Sequence, residues 1–225
     1  MIIYKDKNTV VIYKPAGIPS QPDPSGDADA MTLTSRALME DGEPFSLFPI
    51  HRLDRVAEGL LVLARNKRAA AELSALAASE SLGKKYLAVV TGEAKSERMT
   101  DLIYKDARQG KAFVVDRARS GAKLAELECE PLSYSAGLSL ARVSLLTGRF
   151  HQIRVQFASR KMPLVGDGKY GSRDKGSKYP ALVSYELDFR LFGKRINVKR
   201  LPDKECYPWN LFENELTKLE REQND

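Results

Sequence analysis

Two cysteines, two histidines and one tryptophan among 225 residues leave little room for several kinds of chemistry. Cys129 and Cys206 show neither metal nor redox spacing, and two cysteines do not make the disulfide framework of a small secreted domain. That pattern suits a reducing compartment such as the cytoplasm. No histidine pair at ligand spacing and no Cys-x-x-Cys accompanies them, so no metal is expected. Long apolar runs are also missing. The best, GLLVLA at 59–64, is far short of a bilayer span, and Lys5, Asp6 and Lys7 interrupt the start before a signal-peptide core can form. Neither secretion nor membrane contact is expected. There is no internal repeat, low-complexity tract or Gly-x-x-x-x-Gly-Lys-Ser/Thr phosphate loop.

What the chain does contain is a globular composition, 43% hydrophobic and 29% charged, at a length that can bury a full core without staples. Its charge is uneven. Residues 149–200 hold 13 basic against 4 acidic side chains, the tail 201–225 holds 3 against 7, and the rest is nearly balanced. A basic stretch of this kind suits a polyanion such as nucleic acid, because Lys and Arg displace counterions from phosphates. On charge alone a solvated surface fits equally well.

Hydrophobic patterning predicts an α+β domain on a mixed, mainly antiparallel sheet flanked by helices. Strands are expected at 2–4, 10–13, 50–53, 59–64, 86–90 and 111–115. Two hairpins are expected, one around Ser135-Ala136-Gly137 and one around Phe192-Gly193. Helices are expected at 32–40, at 150–160, from Asn66 as N-cap to before Gly83, and from about 209 to 222. Residues 18–30, rich in proline, read as a loop. The expected organisation is one main domain over 1–200 followed by a polar helix or tail over 201–225.

Both histidines lie in dense polar clusters: His51-Arg52-Leu53-Asp54-Arg55 before one apolar strand, and Gly148-Arg149-Phe150-His151-Gln152-Ile153-Arg154 after another. Either cluster alone is compatible with a solvated strand end. Together, in a chain this poor in histidine, they mark candidate site residues. GDGKYG at 166–171 matches the dinucleotide fingerprint, but a loop sequence follows where a helix must open, so a turn is the better reading. Asp54 and Glu58 could split acid and base roles as in a glycosidase. Glu58 could equally pair with Arg52 or Arg55.

In this order the segments resemble the RluA-type family of RNA pseudouridine synthases. His51-Arg52-Leu53-Asp54 with Gly59-Leu60-Leu61 is similar to the family's catalytic-aspartate motif, and Lys14-Pro15-Ala16-Gly17 with Pro22 to its N-terminal motif. Lys85-Tyr86-Leu87-Ala88-Val89-Val90 with Gly92 is similar to its tyrosine motif. Gly148-Arg149-x-His151-Gln152-Ile153-Arg154, then Pro163-Leu164-Val165-Gly166-Asp167 and Tyr170-Gly171, resembles its basic motif. The matches cover roughly residues 1–190. The chain departs at Ala57-Glu58, where the family usually carries Thr-Ser. Glu58 is similar to the sister RsuA-type family, whereas Ala57 lacks a hydroxyl that could brace the catalytic loop. The chain resembles the short members that lack an S4-type domain.

The resemblance implies a monomeric, cytoplasmic, cofactor-free isomerase whose partner is ribosomal or transfer RNA. Uridine becomes pseudouridine when the C1′–N1 bond breaks and C1′ joins C5 of the uracil, with no redox change and no group lost. Asp54 is implied as the catalytic carboxylate, either as nucleophile or as base. Arg154, 100 residues later, is implied as its basic partner, and Tyr86 as the ring that stacks on the uracil. The motif aside, Tyr86 reads as a core tyrosine. His51, Arg52, Arg55, Arg149, His151, Gln152 and Lys169 are the candidate RNA contacts. Two other functions use the same residues: an RNA-binding or RNA-folding protein with little turnover, and a two-carboxylate glycoside hydrolase.

Overall fold

The computed structural model describes residues 1–43 and 46–222. The end of the tail segment, 223–225, lies outside the described residues. The elements in chain order are β1 (Ile2–Lys5), β2 (Thr9–Lys14), α1 (Ala30–Glu40), β3 (Phe48–Pro49), β4 (Glu58–Ala64), α2 (Lys67–Ala78), β5 (Gly83–Thr91), β6 (Glu97–Asp106), β7 (Lys111–Val115), β8 (Ala122–Ser135), β9 (Leu138–Leu145), α3 (Gln152–Ser159), β10 (Leu182–Leu191), β11 (Lys194–Lys199) and α4 (Glu213–Arg221). The class is α+β with a mixed, mainly antiparallel sheet, as the run of hairpins predicts.

The chain forms two compact units and passes between them inside β5 and inside β10. One comprises Met1–Lys84 with Ser184–Arg200, the other Lys85–Val183 with Leu201–Asp225. In the first unit the strand order is β1-β2-β4-β10, with β11 on β10 and β3 on β4. Val10, Val11 and Ile12 of β2 and Leu60 to Ala64 of β4 are completely buried, which explains why these strands read as continuous apolar runs rather than alternations. Helix α2 closes one side of this core with Ala69 and Leu73, packed among Val11, Leu60, Val62, Leu187 and Phe189. Asn66 caps it as the sequence predicts, its side chain accepting the Ala69 N–H at 2.9 Å. Such a cap contributes about 1 kcal/mol.

In the second unit the order is β5-β9-β8-β6-β7. The β8–β9 turn places Ala136 and Gly137 at φ +52° and +79°, and the β10–β11 turn in the first unit places Phe192 and Gly193 at +49° and +82°. Two consecutive positive φ values make the tight turn whose twist matches its strands. After Arg200 the chain buries Trp209, Phe212, Leu216 and Leu219, so α4 is polar on one side only.

The strand predicted at 50–53 is not formed. Strand pairing stops at Pro49; farther on, a serine hydroxyl bonds both backbone groups of Leu53, and the His51 ring accepts the Val62 N–H of β4. The run reads as a strand because Ile50 and Leu53 bracket it just ahead of the apolar β4, but among the described residues β3 pairs with β4 only at Phe48 and Pro49.

Candidate active site

Asp54 sits in the first unit, on the turn between β3 and β4. The Ala57 N–H donates to its carbonyl at 3.0 Å, and residues 54–57 are a turn rather than a helix. Gly59 enters β4 at φ +121° with its α-carbon against the Ser184 backbone. A β-carbon there would lie 2.3 Å from the Ser184 oxygen, so the motif's glycine is required by close packing.

The segment 14–30 holds this turn on both sides of Asp54. The Gly17 N–H donates to the Arg55 carbonyl at 2.8 Å, and Arg55 Nε donates back to the Gly17 carbonyl at 2.9 Å. On the other side the Ser20 hydroxyl donates to the Leu53 carbonyl at 2.9 Å and accepts the Leu53 N–H at 3.0 Å. Lys14 is completely buried. Its ammonium donates to the carbonyls of Ala57, Ile18, Pro15 and Arg55 at 2.6, 2.9, 3.0 and 3.3 Å. Burial lowers its pKa to about 8, against the opposing pull of the Asp54 and Glu58 charges. It therefore remains a cation at neutral pH.

Several expected RNA contacts have other employment. The Arg55 guanidinium pairs with Asp27 and donates to Ser25 Oγ, so it ties down the 14–30 segment. The Nε2 atom of His51 accepts the Val62 N–H at 3.2 Å. Burial, helped by the Lys84 charge, lowers the His51 pKa to about 3, so the ring is neutral and is not a cation for phosphate. Arg52, next to it, is exposed.

The depressed His51 pKa sets a sign for stability. Between pH 6.5 and about 3 the unfolded chain holds a proton on His51 that the folded chain does not. Its stabilising contribution is complete above pH 6.5 and is lost as the pH falls toward 3. His51→Gln keeps an acceptor for Val62 and removes the titration. Urea unfolding of the variant between pH 4 and 6.5 is expected to show a flatter pH dependence than the parent, with RNA affinity unchanged.

The second unit holds the basic motif at the start of α3. His151 precedes the helix in the left-handed region, at φ +53°. Its Nδ1 lies 2.8 Å from the Tyr170 hydroxyl, which also accepts the Ala112 N–H at 2.8 Å. Phe150 stacks on the imidazole at 3.8 Å. Gln152 is buried. Its Oε1 accepts from Thr147 Oγ1 and the Arg149 N–H, and its Nε2 donates to the Glu126 carbonyl. All of these partners lie within the fold, so Gln152 shapes the turn and is not a surface contact. Arg149 is exposed, with Nε on the Leu124 carbonyl, and Lys169 reaches the Gly110 carbonyl.

Arg154 is buried in α3 and grips Asp167 with two parallel bonds, Nε to Oδ2 at 2.7 Å and an Nη to Oδ1 at 2.8 Å. Asp167, at the end of the 163–167 segment, thus holds one edge of the guanidinium, which also lies 5.0 Å from the centre of the Tyr170 ring. Gly168–Tyr170 form a single 3-10 turn, not the opening of a long helix, in line with rejection of a dinucleotide site. Tyr86 lies in β5 opposite Val143 and is 5% exposed.

Sequence reasoning did not single out Ser20 or the caging of Lys14, and it named Asp167 only within the basic motif, without its pairing to Arg154. It also placed the basic surface only after residue 149. Residues 104–123 carry six basic against two acidic side chains, and cations lie over aromatic rings there: Lys105 over Phe150, Lys111 over Phe113 and Arg119 over Tyr104. Among the described residues, no three of His, Cys, Asp and Glu are grouped so as to hold a metal ion, and no helix is long and apolar enough to cross a membrane.

Comparison with known proteins concerns the fold and the family. In structure the chain is similar to human RNA pseudouridylate synthase domain containing 4, with a TM-score of 0.75 over 96% of this chain and 92% of that one, at 24% identity. That likeness concerns the fold. In sequence it is 29% identical to an RNA pseudouridine synthase of Haemophilus influenzae over 90% of this chain and 88% of that protein. It is 31% identical to ribosomal large subunit pseudouridine synthase C of Rickettsia bellii, over 89% and 68%. It is also 31% identical to the mitochondrial tRNA pseudouridine(32) synthase of Saccharomyces cerevisiae over 76% of this chain but only 37% of that protein. The family model for RNA pseudouridylate synthase matches residues 8–159, and the chain belongs to that family of RNA isomerases.

Proposed function

We propose that this protein converts uridine to pseudouridine in ribosomal or transfer RNA, acting as a monomer in the cytoplasm and without a metal or organic cofactor. Asp54 is the reacting carboxylate, Arg154 supplies positive charge, and Tyr86 offers a ring face to the uracil. The observation that carries this reading is the turn at Asp54: its two neighbours, Leu53 and Arg55, are fixed by paired hydrogen bonds while the carboxylate-bearing residue stands between them. Holding a reacting group within a fraction of an ångström is what converts an ordinary carboxylate into a catalyst. RNA is bound by Arg52, Arg149 and Lys169 together with the cation–aromatic surface of 104–123, where bases can stack and phosphates be neutralised.

Relatives named for large-subunit ribosomal RNA and for transfer RNA both support an RNA substrate and leave two target classes. Family membership and the non-helical 54–58 turn favour the isomerase over a two-carboxylate hydrolase. The deciding experiment maps pseudouridines in total RNA from a deletion strain and its parent. Loss of at least one site, restored by the intact gene and not by an Asp54→Asn copy, is expected. An unchanged map in every RNA class would refute the assignment.

A further inference from the structure

We propose that Ser20 is the positioning residue for Asp54, and that its hydroxyl replaces the brace which this chain lacks at Ala57. The inference rests on the assignment of Asp54 as the reacting group. Ser20 is buried, and it places one oxygen against both backbone groups of Leu53, donating at 2.9 Å and accepting at 3.0 Å. One hydroxyl thus does for Leu53 what a paired strand residue would do.

The position of the hydroxyl is itself fixed. The Pro19 carbonyl accepts the Ala30 N–H at 2.9 Å at the start of α1, and Asp29, buried, caps that helix through the Thr32 N–H. Lys14 gathers the carbonyls of Pro15 and Ile18 on one side and those of Arg55 and Ala57 on the other. Ala57 has only a methyl group, and it contributes its backbone alone to the turn. Contacts that hold the residues beside Asp54 thus arrive from 14–20, and the Ser20 side chain bonds both backbone groups of the residue immediately before it.

A group that acts through geometry should change rate more than binding. The comparison uses the isosteric pair Ser20→Thr and Ser20→Val, which share shape and differ in the hydroxyl. Single-turnover rates at saturating enzyme, RNA affinity and thermal midpoint are measured for each. Thr9→Val serves as control, since the Thr9 hydroxyl donates to the Leu63 carbonyl in the same unit, away from the turn. The threonine variant is expected to keep most of the rate. The valine variant is expected to lose roughly ten- to a hundredfold in rate with RNA affinity within about twofold, the scale set by sub-ångström to ångström misplacement. Thr9→Val is expected to lose thermal stability and keep its rate. Equal rates for the threonine and valine variants, or a loss in Thr9→Val as large as in Ser20→Val, would overturn the proposal. Activity surviving in Asp54→Asn would instead overturn the assignment of Asp54, so the two failures are distinguishable.

Discussion

Asp54→Asn is expected to reduce pseudouridine formation by at least about a thousandfold while RNA affinity stays within about twofold. The loss would correspond to roughly 4 kcal/mol of transition-state stabilisation. Asparagine has nearly the shape of aspartate, and the bonds that hold the turn involve the backbones of Leu53, Arg55 and Ala57, none of which the substitution touches. What disappears is the negative charge that either attacks the sugar or removes its proton. Nucleoside analysis of the product RNA after a single turnover, beside a binding titration, separates the two quantities. A variant retaining most of its turnover would remove Asp54 from the chemistry.

The second large effect concerns Arg154. Its pairing with Asp167 is buried on both sides, with side chains 4% and 1% exposed, so neither charge can be left alone cheaply. Asp167→Ala is expected to destabilise the fold by about 3 to 5 kcal/mol, because it removes one partner of a buried, doubly hydrogen-bonded ion pair. Replacing both partners at once, Arg154→Met with Asp167→Leu, removes both charges and is expected to keep the fold near parental stability. That double variant still loses the rate on bound RNA if Arg154 serves the reaction. Arg154→Lys keeps a charge without the planar fork and restores activity only in part. Lys169→Ala behaves differently: it weakens binding across RNA sequences and lowers the salt slope by about one unit, leaving the rate on bound RNA intact. If the double variant shows only this binding signature, Arg154 belongs with the RNA contacts.

Much of this molecule is legible in its sequence, and the unreadable part has a common cause. The Asn66 cap, the two tight hairpins and the strand of 111–115 follow from local rules, in which a residue's neighbours decide its conformation. The four motifs likewise lie in contiguous stretches. What could not be read depends on long-range partners. Residues 50–53 look like a strand until Ser20 is seen to bond both backbone groups of Leu53, and the His51 ring to accept the Val62 N–H of β4. His51 and Gln152 look like polar surface groups, yet each spends its capacity on backbone or side chains elsewhere in the fold. Lys14 gives no sign of complete burial, because a lysine ending an apolar run is usually a solvated strand end. Four carbonyls, two of them more than forty residues away in sequence, make its burial tolerable.

The interleaving of the two units also dictates an order of events during synthesis. The core around β2, β4 and α2 needs Leu187, Phe189, Leu191, Ile196 and Val198, which the ribosome delivers only after the whole of 85–183. The core of the first unit is therefore completed only near residue 200, although its translation begins first, and the second unit still waits for Trp209, Phe212, Leu216 and Leu219. Until about residue 200 has left the exit tunnel, Val11, Leu60 and Val62 lack their partners from β10 and β11, and the nascent chain carries exposed apolar strands. Pausing before that point lengthens the exposure, whereas a circular permutant joining 184–200 to the early strands shortens it.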